Sequence, residues 1–182
     1  LENLNLLLSK EKFDFIIIPG DITNPNLDAL NYIKRLDNIF KSHHQRWLAV
    51  HGNNDREPVI EFMKKNHINL HFEPQIINNF RFVGIGGWAD ELPPYDLKLD
   101  QKTIVVTHIP PKTNFNQTHF NPETSPLLHI SGHHHDREGF RDFGPTRIVN
   151  VPSVKFSNRA SVIKLPEKSV QFISLPQKQA IN

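Results

Sequence analysis

Cysteine is absent from the 182-residue chain, and this absence excludes disulfide bonds and thiolate metal sites. Any metal that this protein binds must therefore be held by His, Asp, Glu or Asn side chains. Ligands of that kind favour Mn, Fe, Zn, Ni or Co over the softer metals.

Long apolar runs and an excess of charge of one sign are also missing. No apolar run approaches the roughly 18 residues of a membrane span, and no secretory signal is visible. We therefore expect a cytoplasmic protein that does not associate with a membrane. The formal net charge is only +2, which argues against a long nucleic-acid groove. The length suits one domain with its own core.

The start of the chain is unusual for a complete protein. It lacks a Met and opens with LENLNLLLSK, in which Leu1, Leu4, Leu7 and Leu8 fall on one face of a predicted helix. A native protein rarely begins inside an amphipathic helix. We therefore expect that an upstream segment is missing, and that residues 1–182 form a single domain truncated at its N-terminus.

Apolar runs that end in turns recur along the chain. The run FDFIIIPGD, residues 13–21, is of the kind that is buried on both faces of a parallel sheet. Helical periodicity predicts helices over residues 27–40 and 58–66. Further strands are predicted in the following segments: RWLAVHGNND, FRFVGIGG, KTIVVTHIPP, PLLHISGHHH, TRIVNV, ASVIKL and SVQFISL. This order of elements predicts a layered α/β domain with two packed sheets.

Four of these strands stop at turns that carry metal-ligand side chains. The side chains are Asp21 in IIIPGD, Asn53 in AVHGNND, His108 in VVTHIPP, and His133 and His135 in HISGHHH. Ligands gather at the carboxyl ends of the strands in open α/β sheets. We therefore expect these residues to converge in the folded protein, although they are far apart in the sequence.

Each of these residues has a plainer interpretation when it is taken alone. Asp21 follows Pro-Gly and would serve as a turn residue or a helix cap, and Asn53 suits a left-handed turn position. His108 would be an ordinary loop histidine, and the triple histidine would be exposed to solvent. The recurrence of the pattern at four strand ends favours a shared metal site over four separate explanations.

The ordered motifs GD, GNND, THIPP and GHHH resemble those of the calcineurin-like metallophosphoesterases, which are G-D, G-N-H-D, T-H-x-P and G-H-x-H. The similarity extends over residues 13–153. GIGGW, the double proline after His108 and GPTRIVNVPS resemble the predicted phosphoesterases of archaea and bacteria. The resemblance implies a four-layer α-β-β-α sandwich that hydrolyses phosphodiesters or phosphomonoesters. The partner it implies is a small phosphoester substrate, including nucleotide-like esters.

The resemblance also implies two divalent transition-metal ions, with Mn as the first choice. On the family pattern Asp21 bridges the two ions, Asn53, His108 and His133 complete one site, and His135 contributes to the other. A hydroxide that bridges two such ions is the attacking group in enzymes of this type. Residues i and i+2 of an extended turn share a direction, so the middle histidine of the run is expected to point away.

Asn54 and Asp55 occupy the catalytic positions of the third motif. Many members of the family have a histidine at the position of Asn54, where it binds phosphate and protonates the leaving group. An amide donates a hydrogen bond but is no general acid near neutral pH, so we expect a preference for good leaving groups. Asp55 is expected to fix the turn or a neighbouring ligand. His51 and His119 are conceivable substitutes for the missing histidine.

The family's first motif, Asp-x-His, is absent from this chain, and with it half the ligands of one metal site and the first strand. Two explanations remain open. The chain is a fragment of a phosphoesterase, or it has lost one metal site and serves as a non-catalytic binding or scaffold module. The sequence indicates no oligomeric state. Trp88 and Tyr95 are expected near the substrate cleft. GIGG leads into no helix, which argues against a dinucleotide site.

Overall fold

A computed structural model of the chain describes residues 1–24, 28–87, 99–111, 125–135 and 137–177. Its helices are α1 Glu2–Lys10, α2 Ala29–Ser42, α3 Glu57–Lys65 and α4 Val154–Ser157. Its strands are β1 Ile16–Pro19, β2 Trp47–Val50, β3 Gln75–Ile77, β4 Phe80–Ile85, β5 Thr103–Thr107, β6 Leu128–Ser131, β7 Gly139–Phe143, β8 Thr146–Asn150, β9 Arg159–Lys164 and β10 Ser169–Ser174. Every helix and strand predicted above is present, with small shifts of its boundaries.

The strands form three sheets in the described part of the chain. β1 and β2 make a parallel pair, and β9 and β10 make an antiparallel hairpin. The third sheet has six strands in the order β3-β4-β5-β6-β8-β7. Its four central strands are parallel, whereas β3 and β7 run antiparallel at the two edges.

Alternating side chains on β2 show how the layers stack. Trp47 and Ala49 belong to a buried cluster with the helices α1, α2 and α3, whereas Leu48 and Val50 belong to a second cluster with the six-stranded sheet. Burying each large apolar side chain contributes about 1.5–3 kcal/mol. The β1–β2 pair is therefore sandwiched between helices and a larger sheet, as predicted. A second layer of helices is not seen among the described residues.

Local sequence signals explain where the helices α2 and α3 begin. Asp28 caps α2 by accepting a hydrogen bond from the backbone N–H of Asn31 at 3.1 Å. In α3, Pro58 lies in the first turn, where its missing N–H costs nothing, and Lys64 and Lys65 lie in the last turn. The helix that was predicted to start at residue 27 thus starts at Ala29 in the described residues.

β3 and β7 were not predicted from the sequence. Both are edge strands with exposed apolar side chains, among them Ile76 at 76% exposure and Phe140 at 48%. Neither strand shows the apolar run of a central strand, because neither is buried on both faces. Their β-structure comes from pairing with β4 and β8.

The helices in the described ranges are short beside a membrane-spanning helix, which needs about 20 predominantly apolar residues. None of them is both long enough and apolar enough to cross a membrane.

Candidate metal centre

The turns that follow β1, β2, β5 and β6 meet at one end of the two packed sheets. We call residues 20–23, 52–55, 108–110 and 132–135 the site turns. They approach so closely that two glycines are required. A Cβ on Gly20, which has a φ of +87°, would lie 2.4 Å from His108 Nδ1, and a Cβ on Gly52 would lie 2.2 Å from Asp21 Oδ1. Backbone contact at these glycines brings the predicted ligands together.

Four of the five predicted ligands form a compact cluster. Ligand atoms of Asp21, His108 and His133 all lie within 4.8 Å of one another. His108 Nε2 is at the centre, 3.5 Å from Asp21 Oδ1, 2.9 Å from Asn53 Oδ1 and 3.1 Å from His133 Nδ1. Each of the four residues comes from a different turn, as the positions of the strand ends led us to expect.

The position of the proton on the His108 ring indicates that this cluster is suited to hold a cation. His108 Nδ1 lies 2.9 Å from the carbonyl oxygen of Pro19, which can only accept, so Nδ1 carries the proton. Nε2 is then the nitrogen of this fully buried ring that is left to bind a cation, and it faces the amide oxygen of Asn53, which is also an acceptor. Lone pairs that converge in this way suit a bound cation, and the bond from Nδ1 to a carbonyl is the usual support of a metal-binding histidine.

The backbone of Asp21 is strained, and its carboxylate is held by Asn54 in the turn that follows β2. Its φ is +52°, in the left-handed region. Asp21 Oδ1 accepts from the backbone N–H of Asn54 at 2.9 Å, and Oδ2 accepts from Asn54 Nδ2 at 2.8 Å. The side chain of Asn54 is thus directed at the carboxylate of Asp21. This arrangement fixes the orientation of the central acidic ligand.

Asp55 joins two of the site turns. Its carboxylate accepts from the backbone N–H groups of Ile22, Thr23 and Gly52 at 3.1, 2.8 and 2.8 Å, and from the Thr23 hydroxyl at 3.0 Å. Burial raises the pKa of Asp55, while these hydrogen bonds act in the opposite direction. Asp55 therefore fixes the turn, and both of its oxygens are already engaged.

The triple histidine is a turn and not the extended run from which its directions were inferred. His133 has a φ of +67°, and the backbone N–H of His134 donates to Gly132 O at 2.8 Å. His133 enters the cluster, where burial and the nearby His108 lower its pKa. The side chain of His135 is 42% exposed, and its Nε2 lies 3.8 Å from Asp21 Oδ2, at the edge of the cluster. His134 is exposed to solvent.

Two further histidines lie near the site: the half-buried His51, which the sequence offered as a substitute for the missing histidine, and the buried His129, to which the sequence gave no role. His51 packs edge-on against His71 at a centroid distance of 4.6 Å, and burial lowers its pKa to about 4. His129 in β6 has its Nε2 2.9 Å from the hydroxyl of Thr107, and burial lowers its pKa to about 4 as well. Thr107 in turn donates to Ile109 O, which orders the turn around His108. The signal in the sequence that His129 would be buried was its place in β6, a strand whose residues are all buried.

Three predicted residues are not among those that the structure describes, and one further histidine lies away from the cluster. Trp88, Tyr95 and His119 lie outside the described residues. His43, near the end of α2, bonds Asn5 Oδ1 at 2.8 Å and takes no part in the site.

Comparison with known proteins agrees with the fold and the motifs. TT1561 of Thermus thermophilus has a crystal structure with a TM-score of 0.70 and 14% sequence identity, and the match covers 96% of this chain and 92% of that chain. A second crystal structure has a TM-score of 0.72 at 14% identity and covers 96% and 93%. At this identity the likeness shows the fold alone. No curated protein matches the chain.

The family comparison is more specific than the structural one. The calcineurin-like phosphoesterase superfamily domain matches residues 2–165, which include all of the site turns. The chain belongs to the calcineurin-like phosphoesterase superfamily.

Proposed function

We propose that this protein hydrolyses phosphoester bonds with metal held by Asp21, Asn53, His108 and His133. The observation that carries the proposal is the convergence of the His108 Nε2 lone pair with the oxygens of Asn53 and Asp21. Membership of the superfamily supports metal-dependent phosphoester hydrolysis as the general activity. Bound divalent ions would supply Lewis acidity for the phosphoryl oxygens and a water of lowered pKa.

The centre we propose is dinuclear, with Asp21 shared between two ions. The two carboxylate oxygens of Asp21 face different histidines, since Oδ1 is 3.5 Å from His108 Nε2 and Oδ2 is 3.8 Å from His135 Nε2. A carboxylate that presents one oxygen to each side suits a bridging ligand. His135 would belong to the second ion. We propose Mn²⁺ as the preferred metal, as the resemblance to the family implies, and a ligand set without thiolates is compatible with it.

Asn54 restricts the substrates that such a centre can use. Its amide holds Asp21 and can donate a hydrogen bond to a phosphoryl oxygen, but it cannot protonate the departing group. The alcohol must therefore leave as an anion, so esters with acidic leaving groups should react faster. Comparable rates for aryl and alkyl phosphodiesters would contradict this role.

The test combines elemental analysis with hydrolysis of bis(p-nitrophenyl) phosphate, using protein purified without chelator or affinity histidines. We expect bound transition metal and metal-dependent hydrolysis in the wild-type chain. Asp21→Asn keeps the shape of the side chain but removes its charge, so activity should fall by about 100-fold or more. Even the loss of a ligand's supporting partner costs about 10–100-fold. His43→Ala, remote from the site, is the matched control and should retain wild-type activity.

The metal content separates the alternatives. Two ions per chain would support the dinuclear centre, and one ion would support only the set around His108. A folded wild-type chain with neither metal nor hydrolysis would contradict the proposal and favour a binding or scaffold module.

A further inference from the structure

A cavity of about 590 Å³ opens beside the metal centre. It lies between the turn after β6 and the short helix α4, and its lining includes His135, Arg137, Glu138, Phe156, Ser157 and Arg159. We call it the Phe156 cavity. Since His135 lies 3.8 Å from Asp21 Oδ2, the cavity adjoins the proposed metal ligands directly. Its volume falls within the range of small-molecule sites.

Phe156 is placed as an aromatic platform at this cavity. Its side chain is 62% exposed, although burying it would be favourable, and its ring stacks on His135 at a centroid distance of 4.6 Å and 20°. The helix that carries it is anchored at its end. Asn158 Nδ2 donates to Leu175 O at 2.9 Å, and Leu175 N–H donates to Asn158 O at 2.8 Å. The ring is therefore held in place before any ligand binds, which lowers the entropic cost of stacking.

The charges around the ring suit an anionic ligand. Arg137 and Arg159 line the cavity against one acidic residue, Glu138, which pairs with Arg159. The ammonium of Lys155 lies 5.0 Å from the centroid of the Phe156 ring. The cavity thus joins an exposed apolar ring to an excess of positive charge, next to side chains that we assign to phosphoester hydrolysis.

We propose that the Phe156 cavity is a subsite for the base of a nucleoside phosphoester, and that the base stacks against Phe156. The inference rests on the proposed function, because that function supplies the phosphoester on which the base is carried. It names the substrate class as nucleotides or nucleoside phosphodiesters. The competing role for Phe156 is to orient the His135 ring as a metal ligand, without contact to substrate.

The experiment compares the binding of AMP and ribose 5-phosphate by calorimetry in the presence of Mn²⁺, with phosphate release followed in parallel. The two probes share the sugar and the phosphate and differ in the base. We expect the wild-type chain to bind AMP about 10-fold more tightly, the scale of an aromatic stacking contact. Phe156→Ala should bring the ratio of the affinities for AMP and ribose 5-phosphate close to one, while leaving the affinity for ribose 5-phosphate unchanged. Phe156→Trp should retain the preference.

Phe143→Ala is the matched control, because Phe143 is also exposed, at 43%, but lies on β7 and does not line the cavity. It should keep the wild-type ratio. Equal affinities in the wild-type chain, or a preference for AMP that survives in Phe156→Ala, would overturn the subsite. Weaker Mn²⁺ binding in Phe156→Ala with an unchanged ratio would also overturn it, in favour of the orienting role.

The failure of the subsite and the failure of the proposed function are distinguishable. Metal-dependent hydrolysis with no preference for AMP would overturn the subsite and leave the function standing. A preference for AMP that depends on Phe156, without any metal-dependent hydrolysis, would support the subsite and contradict the function.

Discussion

At the site turns, backbone packs against backbone, whereas around α4 the surface is built from side chains. Gly20 and Gly52 leave no room for a Cβ, and the carboxylate of Asp55 is enclosed by backbone N–H groups of two turns. Around α4, Phe156 and Val154 are exposed, and a single turn of helix carries them. The two regions adjoin at His135, yet they tolerate change differently.

The difference separates what assembles the proposed metal centre from what would select its substrate. Positions at which every atom is in contact cannot accept an added methyl group without moving a ligand. Exposed side chains on an anchored helix can be exchanged with little effect on folding. We therefore expect substitutions around α4 to alter substrate choice and substitutions at the site turns to alter metal binding.

The largest effect that would sharpen this contrast is expected for Gly52→Ala. The added Cβ would lie 2.2 Å from Asp21 Oδ1 and 2.3 Å from Asp21 N, so the site turns must separate. We expect a loss of about 3 kcal/mol in the free energy of unfolding, as for overpacked cores, together with the loss of metal binding. Urea denaturation and metal titration measure the two effects.

Gly139→Ala is the matched control for that substitution. A Cβ there meets nothing within 4 Å, so its effect should stay within about 0.5 kcal/mol. Equal effects of the two substitutions would show that crowding at the site turns is not what holds the ligands.

The next effect concerns His129, which lies in the strand that leads into the triple histidine. Burial lowers its pKa from 6.5 to about 4, so between these values the unfolded chain binds the proton more readily than the folded protein. The free energy of unfolding should therefore fall as the pH decreases through this window. The contribution of His129 between pH 7.5 and pH 5 is about 2 kcal/mol.

Urea denaturation at the two pH values, in the wild-type chain and in His129→Gln, isolates this contribution. The variant should lose less stability on acidification, by about that amount. Parallel pH dependence of the wild-type chain and His129→Gln would contradict the assignment.

The smallest effect is expected at Asn158, which ends α4 with a φ of +53°. Asn158→Ala and Asn158→Gly both remove the side-chain bonds to Leu175 O and from Asn3 Nδ2. Only alanine adds the strain of the left-handed region, so it should be less stable than the glycine variant by about 1 kcal/mol. Thermal denaturation measures the difference, and metal binding should be the same in both. Reduced metal binding in either variant would show that α4 supports the metal centre after all.

Sequence patterns predicted the central strands because these are buried on both faces. β5 appears as an apolar run and β6 as one that His129 interrupts, and the positions of both were correct to within a few residues. β7 has five residues that are all partly or fully exposed, so no apolar pattern marked it. The extended geometry expected for the triple histidine was wrong, because the positive φ of His133 is set by contacts that the sequence does not display.

The sequence by itself determined which residue types follow which strands. Burial on both faces of a parallel sheet requires a recognisable apolar run, and the polar groups are therefore found in the turn that follows the strand. Only the tertiary structure decided which atoms meet. The carbonyl of Pro19 directs the Nε2 lone pair of His108 to Asn53, and Asn54 is committed to Asp21. These contacts join turns that are separated by more than 30 positions in the chain. Local periodicity reports the burial of a residue, but it holds no information about partners at that distance.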